Sequence, residues 1–264
     1  MKKIFFVILI IIFFLIASLW FFLKERKINI SETEDFSMEN SEESDLIIEK
    51  TEKNDTFIEE KVEKTKINNE KITALPASIK IGVPFTAQAP FGVWDEKHEE
   101  ACEEASLLMM VKYVSNGNLT PETSEKELQT MIDFQIANYG DYKDSNMEEI
   151  VQLAKDFYEL DNLKVVYDFK KEEIKKELAK GNPVIVPTAG RLLGNPYFTP
   201  PGPLYHNLIL TGYDGDIIIA NDPGTKRGAG YNYDINILFD AVHDFTGKKE
   251  DIRKGRKAMI VISF

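Results

Sequence analysis

One cysteine, Cys102, stands in 264 residues, so no internal disulfide can form and the thiol says nothing about the redox compartment. Histidine is almost as scarce, with only His98, His206 and His243. One cysteine and three scattered histidines give no zinc-ligand spacing, and no metal site is expected. Positive charge is also short, with 32 lysines and arginines against 44 aspartates and glutamates. That balance argues against nucleic acid as a partner, because neutralising a phosphate backbone needs a cationic surface. No glycine-rich phosphate loop follows a strand pattern, so no nucleotide is expected, nor any other cofactor. No internal repeat recurs.

What is present divides the chain into three parts. From Ile4 to Leu23 every residue but Ser18 is apolar, with Lys2-Lys3 before the run and Lys24-Glu25-Arg26-Lys27 after it. A helix of that length crosses about 30 Å of hydrocarbon. The run exceeds the apolar core of a signal peptide and no small-x-small cleavage site follows, so residues 1–27 are expected to be an uncleaved, single-pass membrane anchor. Flanking lysine and arginine are nearly balanced and do not fix the orientation. Long hydrophilic segments are often translocated regardless, and the expectation is that the chain beyond the anchor lies on the extracytoplasmic side of the cell membrane.

Residues 28–75 follow, with fourteen acids, six bases and few apolar side chains. Such a segment cannot bury enough surface to fold and reads as an acidic, disordered tether. The rest, 76–264, has the mixture expected of a folded domain.

Within that domain Pro121-Glu122-Thr123-Ser124 reads as the start of a helix running toward Ala137, and Asn146 as the cap of another through Phe157. Leu163 to Tyr167, Pro183 to Pro187, Leu208 to Tyr213, Ile217 to Ala220 and Ala258 to Phe264 read as strands, with an amphipathic helix from Lys170 to Lys180. A helical part followed by an antiparallel sheet makes an α+β domain.

Cys102 stands where the apolar helical run Leu107-Leu108-Met109-Met110-Val111 begins. A helix N-terminus favours a thiolate and offers backbone N–H groups to an oxyanion. A nucleophilic thiol needs a base, and the base an orienting group. His98, beside Lys97 and Glu99-Glu100, reads as part of a solvated turn, and His243 as a residue near the end of a helix. His206 opens a strand that turns through Asp214-Gly215 into a second strand ending at Asn221-Asp222. With a three-residue loop Tyr213-Asp214-Gly215, Gly212 faces Asp216 and His206 falls directly opposite Asp222. Directly opposed side chains have Cβ atoms about 5 Å apart, within reach of a hydrogen bond. A two-residue Asp214-Gly215 turn would put Asp222 on the other face, and Asn221 is the reserve orienter.

Val83-Pro84-Phe85-Thr86-Ala87-Gln88, Trp94, Ala101-Cys102, Gly181-Asn182-Pro183-Val184-Ile185-Val186, His206 with Gly212-Tyr213-Asp214, and Asn221-Asp222-Pro223 together resemble the papain-like cysteine peptidases of family thirty-nine. The best-known members of that family remove double-glycine leader peptides from bacteriocins. The resemblance runs from about Pro84 to Phe264 and implies a papain-like fold. It also implies Cys102 as nucleophile, His206 as general base and acid, Asp222 as orienter and Gln88 as side-chain donor to the oxyanion. The family commonly has a small residue after the cysteine, whereas here Glu103-Glu104 follow, two carboxylates that oppose thiolate formation nearby. An inserted loop through Ala89-Pro90-Phe91-Gly92 accounts for the long spacing from Gln88 to Cys102.

The activity expected is hydrolysis of peptide bonds in a peptide or protein substrate through an acyl-enzyme. Two alternatives are an inactive peptide-binding module of the same shape, for which Glu103-Glu104 is the hint, and a thiol amidase or acyltransferase acting on cell-wall peptides. The glycine- and proline-rich segment before His206 should border the cleft, with Arg191, Tyr197 and Phe198 as peptide contacts. Gly224-Thr225-Lys226-Arg227-Gly228 should form the opposite rim.

Overall fold

The computed structural model describes residues 75–263, so the expected membrane span, most of the acidic tether and Phe264 lie outside the described residues. Among the described residues no helix is long and apolar enough to cross a membrane.

The chain enters as a short strand, β1 (Ser78–Lys80), and then builds a helical layer. A single turn, α1 (Glu96–Glu99), is capped by Asp95, whose side chain accepts from the His98 backbone N–H. The central helix α2 (Cys102–Val114) is buried at every position from Cys102 to Val111, as its nearly all-round apolar composition requires. Helix α3 (Pro121–Tyr139) starts with proline in its first turn and a reciprocal Thr120–Thr123 capping box, and ends on the left-handed Gly140. Helix α4 (Met147–Tyr158) starts with an Asn146–Glu149 capping box. Each satisfies backbone N–H groups that a helix start leaves without partners.

Six strands then form an antiparallel sheet, with α5 (Lys171–Ala179) and α6 (Ile235–Ala241) on the path between them. The strands are β2 (Leu163–Tyr167), β3 (Val184–Thr188), β4 (His206–Asp214), β5 (Ile217–Asn221), β6 (Tyr231–Asp234) and β7 (Ala258–Ile262). Their order across the sheet is β2-β7-β3-β4-β5-β6, and β1 pairs with the far end of β4. The central strands are apolar at almost every position because both faces are covered. Val184, Val186, Leu208, Leu210, Met259 and Val261 pack with Ile174, Leu178 and Leu238 of α5 and α6. The alternate residues Ile185, Ile209, Ala258 and Ile260 pack with Leu107, Leu108, Met131 and Ile150 of the helical layer. The α+β class and the antiparallel sheet agree with expectation, and α6 adds to α5 in covering the second face of the sheet. Strands β1 and β6 had no apolar signal of their own.

The β4–β5 hairpin differs from the expected register. Its turn is the two-residue Gly215-Asp216, closed by Asp214 opposite Ile217, with Gly215 at φ 54°. Farther along, Leu210 faces Ala220 while Gly212 faces Ile219, so Thr211 is an extra residue on β4. Asp222 is therefore not directly opposite His206. Continuing the Ile209–Asn221 pairing puts Leu208 opposite Asp222, and His206 is its diagonal neighbour on the same face. Gly212 allows β1 to approach, since a Cβ there would lie 2.2 Å from the Ile79 carbonyl oxygen.

Candidate active site

Cys102 is the first residue of α2, behind Ala101, which supplies no side-chain cap. His206 is the first residue of β4, and Asp222 follows the last residue of β5. Strand pairing thus brings two residues sixteen positions apart to one end of the sheet, where the helix that begins with Cys102 packs against β4. His206 Nε2 lies 2.8 Å from Asp222 Oδ1, and both side chains are buried. With Nε2 held by the carboxylate, Nδ1 is the nitrogen left for a thiol. Phe198 stands edge-on to the imidazole, with ring centroids 5.2 Å apart.

Asp222 is supplied with four donors. Besides His206, the Gly224 N–H donates to Oδ1 at 2.9 Å. Asn195 Nδ2 and the Tyr233 hydroxyl donate to Oδ2 at 3.0 and 2.5 Å. Burial alone would push this carboxyl upward, but the charge and hydrogen bond of His206, with Tyr233 and Gly224, hold it below the usual range. A carboxylate with that many donors stays ionised inside a protein. At Gly224 a Cβ would lie 2.8 Å from His206 Cε1, so only glycine lets the loop close over the ring. Asn195 and Tyr233 escaped the sequence reading. Nothing in Gly194-Asn195-Pro196 or Tyr231-Asn232-Tyr233 distinguishes a buried donor from ordinary loop or strand.

The reserve orienter Asn221 does not reach the histidine. Its Nδ2 donates to the Val83 carbonyl at 3.2 Å and its Oδ1 accepts from Gly230 N–H at 3.0 Å. Gln88 is buried at the cleft wall, but its Nε2 donates to the carbonyls of His98 and Glu99 at 2.7 and 3.1 Å. Both amide N–H groups are thus taken, and Oε1 has no partner among the described residues. His98 is not in a solvated turn. It is buried, with Nδ1 2.7 Å from Asp95 and Nε2 2.9 Å from Glu125, because α1 folds back against α3. His243 lies just past α6, its Nδ1 2.9 Å from the Gly255 carbonyl.

Glu103 and Glu104 depart furthest from expectation. Both are buried in the first turn of α2. Cys102 Sγ donates to Glu103 Oε2 at 3.0 Å, and Gln135 Nε2 donates to Glu104 Oε1 at 2.5 Å. Burial first, then the charge of Glu103, raise the thiol well above its ordinary range, against a pull from the Asn207 backbone N–H. Burial also raises both carboxyls, Glu104 to about 7.

The cleft above Cys102 and His206 has a volume of about 890 Å³ and is lined by Gln88, Trp94, Tyr197, Phe198, Thr225, Lys226 and Arg227 among others. Arg227 stacks on Tyr197, 4.8 Å from the ring centre. On the opposite wall Lys249 bridges Glu100 and Asp144 at 2.6 and 3.0 Å. Arg191 lines a separate, smaller cavity and donates to the Gly202 carbonyl at 3.1 Å, so it is not among the residues of this cleft.

Residues 80–248 match the model of the Peptidase_C39 like family. The chain belongs to that family. Among solved structures it is similar to a putative C39-like peptidase from Bacillus anthracis, at 17% identity and a TM-score of 0.43, covering 70% of this chain and 98% of that one. It is also similar to a double glycine motif protease from an AMS/PCAT transporter in complex with the leader peptide. That match has 17% identity and a TM-score of 0.35, covering 70% of this chain and 94% of the other. No curated protein matches the chain. C39-like membership suggests a hydrolase acting on peptide bonds.

Proposed function

We propose that this C39-like chain is a cysteine peptidase in which Cys102, His206 and Asp222 carry out acyl transfer on a peptide or protein. The observation that carries the reading is the buried His206–Asp222 pair at 2.8 Å, on the wall of the cleft that Cys102 also lines. His206 Nδ1 takes the thiol proton, and Cys102 Sγ attacks the peptide carbonyl carbon. The resulting oxyanion is met by the Cys102 backbone N–H, at the positive end of α2. His206 then gives its proton to the departing amine, leaving a thioester. Water, deprotonated by the same imidazole, releases the acid and restores the thiol. Gln88 serves as a second oxyanion donor only if substrate draws its amide from the His98 and Glu99 carbonyls.

The contact of Cys102 with Glu103 favours one competing reading, a binding module whose thiol stays protonated. Alkylation of the sole cysteine decides between them, measured in the full-length chain beside His206→Ala and Asp222→Ala. Fast reaction below neutrality that collapses without His206 supports the peptidase. A plain thiol profile, unchanged in both variants, leaves the binding module.

We further propose an N-terminal anchor with the catalytic domain outside the cell, on the strength of the apolar run Ile4 to Leu23. A membrane-impermeant thiol reagent should then label Cys102 in intact cells. Protection until lysis would overturn the orientation.

A further inference from the structure

Two acidic residues touch the chemistry of this site from opposite sides, and their surroundings differ. Asp222 receives donors from His206, Gly224, Asn195 and Tyr233. Glu103 is only 2% exposed, yet among the described residues its one side-chain donor is the Cys102 thiol at 3.0 Å, helped only by its own backbone N–H. Its second oxygen, Oε1, is buried without a partner among the described residues. An ionised carboxylate left that bare costs several kcal/mol inside a protein, and such a group takes up a proton instead. The same contact then runs the other way, with the carboxyl O–H pointing at sulfur.

We propose that Glu103 acts as a neutral carboxylic acid whose O–H donates to the Cys102 thiolate, making it a further catalytic residue. This rests on the peptidase reading. The thiol proton still goes to His206 and Glu103 keeps its own, so the armed state is imidazolium, thiolate and carboxylic acid. The Asn207 backbone also favours the thiolate. This resolves how a thiol beside two glutamates can be armed, since a neutral Glu103 no longer opposes the negative sulfur.

The groups around Glu103 reinforce the assignment. From its own helix Glu104 adds like charge, and from the loop before α4 so does Asp144. Tyr205, on the approach to β4, is near enough to feel the charge of Glu103, but its hydroxyl proton is given to the Ser145 carbonyl at 2.7 Å. Lys249, from the 3-10 turn Lys249–Lys254, is engaged by Glu100 and Asp144. Of the two adjacent carboxyls, Glu104 holds the donor from Gln135 and ionises first. Its charge then keeps the proton on Glu103.

The test is the rate of iodoacetamide alkylation of Cys102 in the full-length chain from about pH 5 to 10, for wild type, Glu103→Gln, Glu103→Ala and His206→Ala. Wild type should react fast near neutrality and slow on the alkaline side, where Glu103 loses its proton and its charge raises the thiol. Glu103→Gln substitutes an amide N–H, a weaker donor. It should lose rate severalfold at neutrality and show no alkaline fall. Glu103→Ala, with no donor, should be slower by about tenfold or more, the equivalent of one pKa unit. At about pH 8, where most of Glu104 has ionised, a carboxylic-acid infrared band present in wild type should vanish in Glu103→Gln. An alkaline fall that persists in Glu103→Gln, or Glu103→Ala reacting as fast as wild type, overturns the assignment. His206→Ala keeps the two ideas apart. A wild-type profile there sinks the peptidase reading, whereas loss of fast alkylation there, beside an unaltered Glu103→Gln, sinks only the role of Glu103.

Discussion

Glu104 makes folding stability depend on pH in a direction opposite to that of most carboxylates. Its side chain is fully buried, and burial lifts its carboxyl from the ordinary 4.5 to about 7, against the pull of Gln135. The folded chain therefore holds this proton more tightly than the unfolded chain. The stability so gained is complete below about pH 4.5 and is lost as pH rises through about 7. At about 1.4 kcal/mol per pKa unit, the loss is about 3 kcal/mol. Glu104→Gln removes the titration while keeping the size and an oxygen to accept from Gln135 Nε2. Urea denaturation of the full-length chain at about pH 5 and pH 8 should show the variant close to wild type in acid and about 3 kcal/mol more stable at the higher pH. Parallel pH dependence in the two chains would mean that Glu104 is solvated or paired, and the picture of a dry carboxyl pair beside Cys102 would fall with it.

Tyr233→Phe removes a 2.5 Å donor from Asp222 and should cost about 1.5–3 kcal/mol, the range for a hydrogen bond to a charged group. Because the Asp222 carboxyl is held low, that cost should be present near neutrality and shrink as acid protonates the group. Equal losses in urea melts at about pH 7 and pH 3 would contradict this. Gly212→Ala puts a Cβ 2.2 Å from the Ile79 oxygen and should detach β1, seen as lost hydrogen-exchange protection at the Ile81 N–H, which now donates to Thr211 at 2.7 Å. Retained protection would show that β1 can shift. Ile185→Ala, at a fully buried position facing the helical layer, should destabilise by about 2–5 kcal/mol in urea melts. A loss under about 1 kcal/mol would mean that the core there closes up.

The fold was legible where one signal dominated. Pro121-Glu122-Thr123-Ser124 announced α3, although its capping residue is Thr120, and Asn146 announced α4 through a side chain that bonds the first turn. The apolar runs of β3, β4 and β7 read as strands from their length and β-branched content. Strand β1 has three residues, SIK, half exposed, and β6 reads YNYD. Each is a strand because a neighbour supplies hydrogen bonds, which no local pattern encodes. His98 was misread for a related reason. Its charged neighbours in sequence describe α1 alone, whereas its burial comes from Glu125 on α3, twenty-seven residues away.

At the site the pairing of His206 with Asp222 was foreseen from a register that does not occur, and the reason is parity. Moving the turn from Tyr213-Asp214-Gly215 to Gly215-Asp216 shifts the partners by three positions, which alone would send His206 and Asp222 to opposite faces. The bulge at Thr211 removes one more step, and an even total returns both to one face as diagonal neighbours. What survived was the face, and two residues on one face at the open end of a sheet can meet even when they are not directly opposed. The glutamates show the opposite failure. Their charge was visible, but whether a carboxyl carries it depends on how many donors surround it, and donors arrive from distant segments: Asn195 and Tyr233 to Asp222, Gln135 to Glu104, and among the described residues no distant side chain to Glu103. A sequence shows which groups can ionise, and only the packed interior determines which of them do.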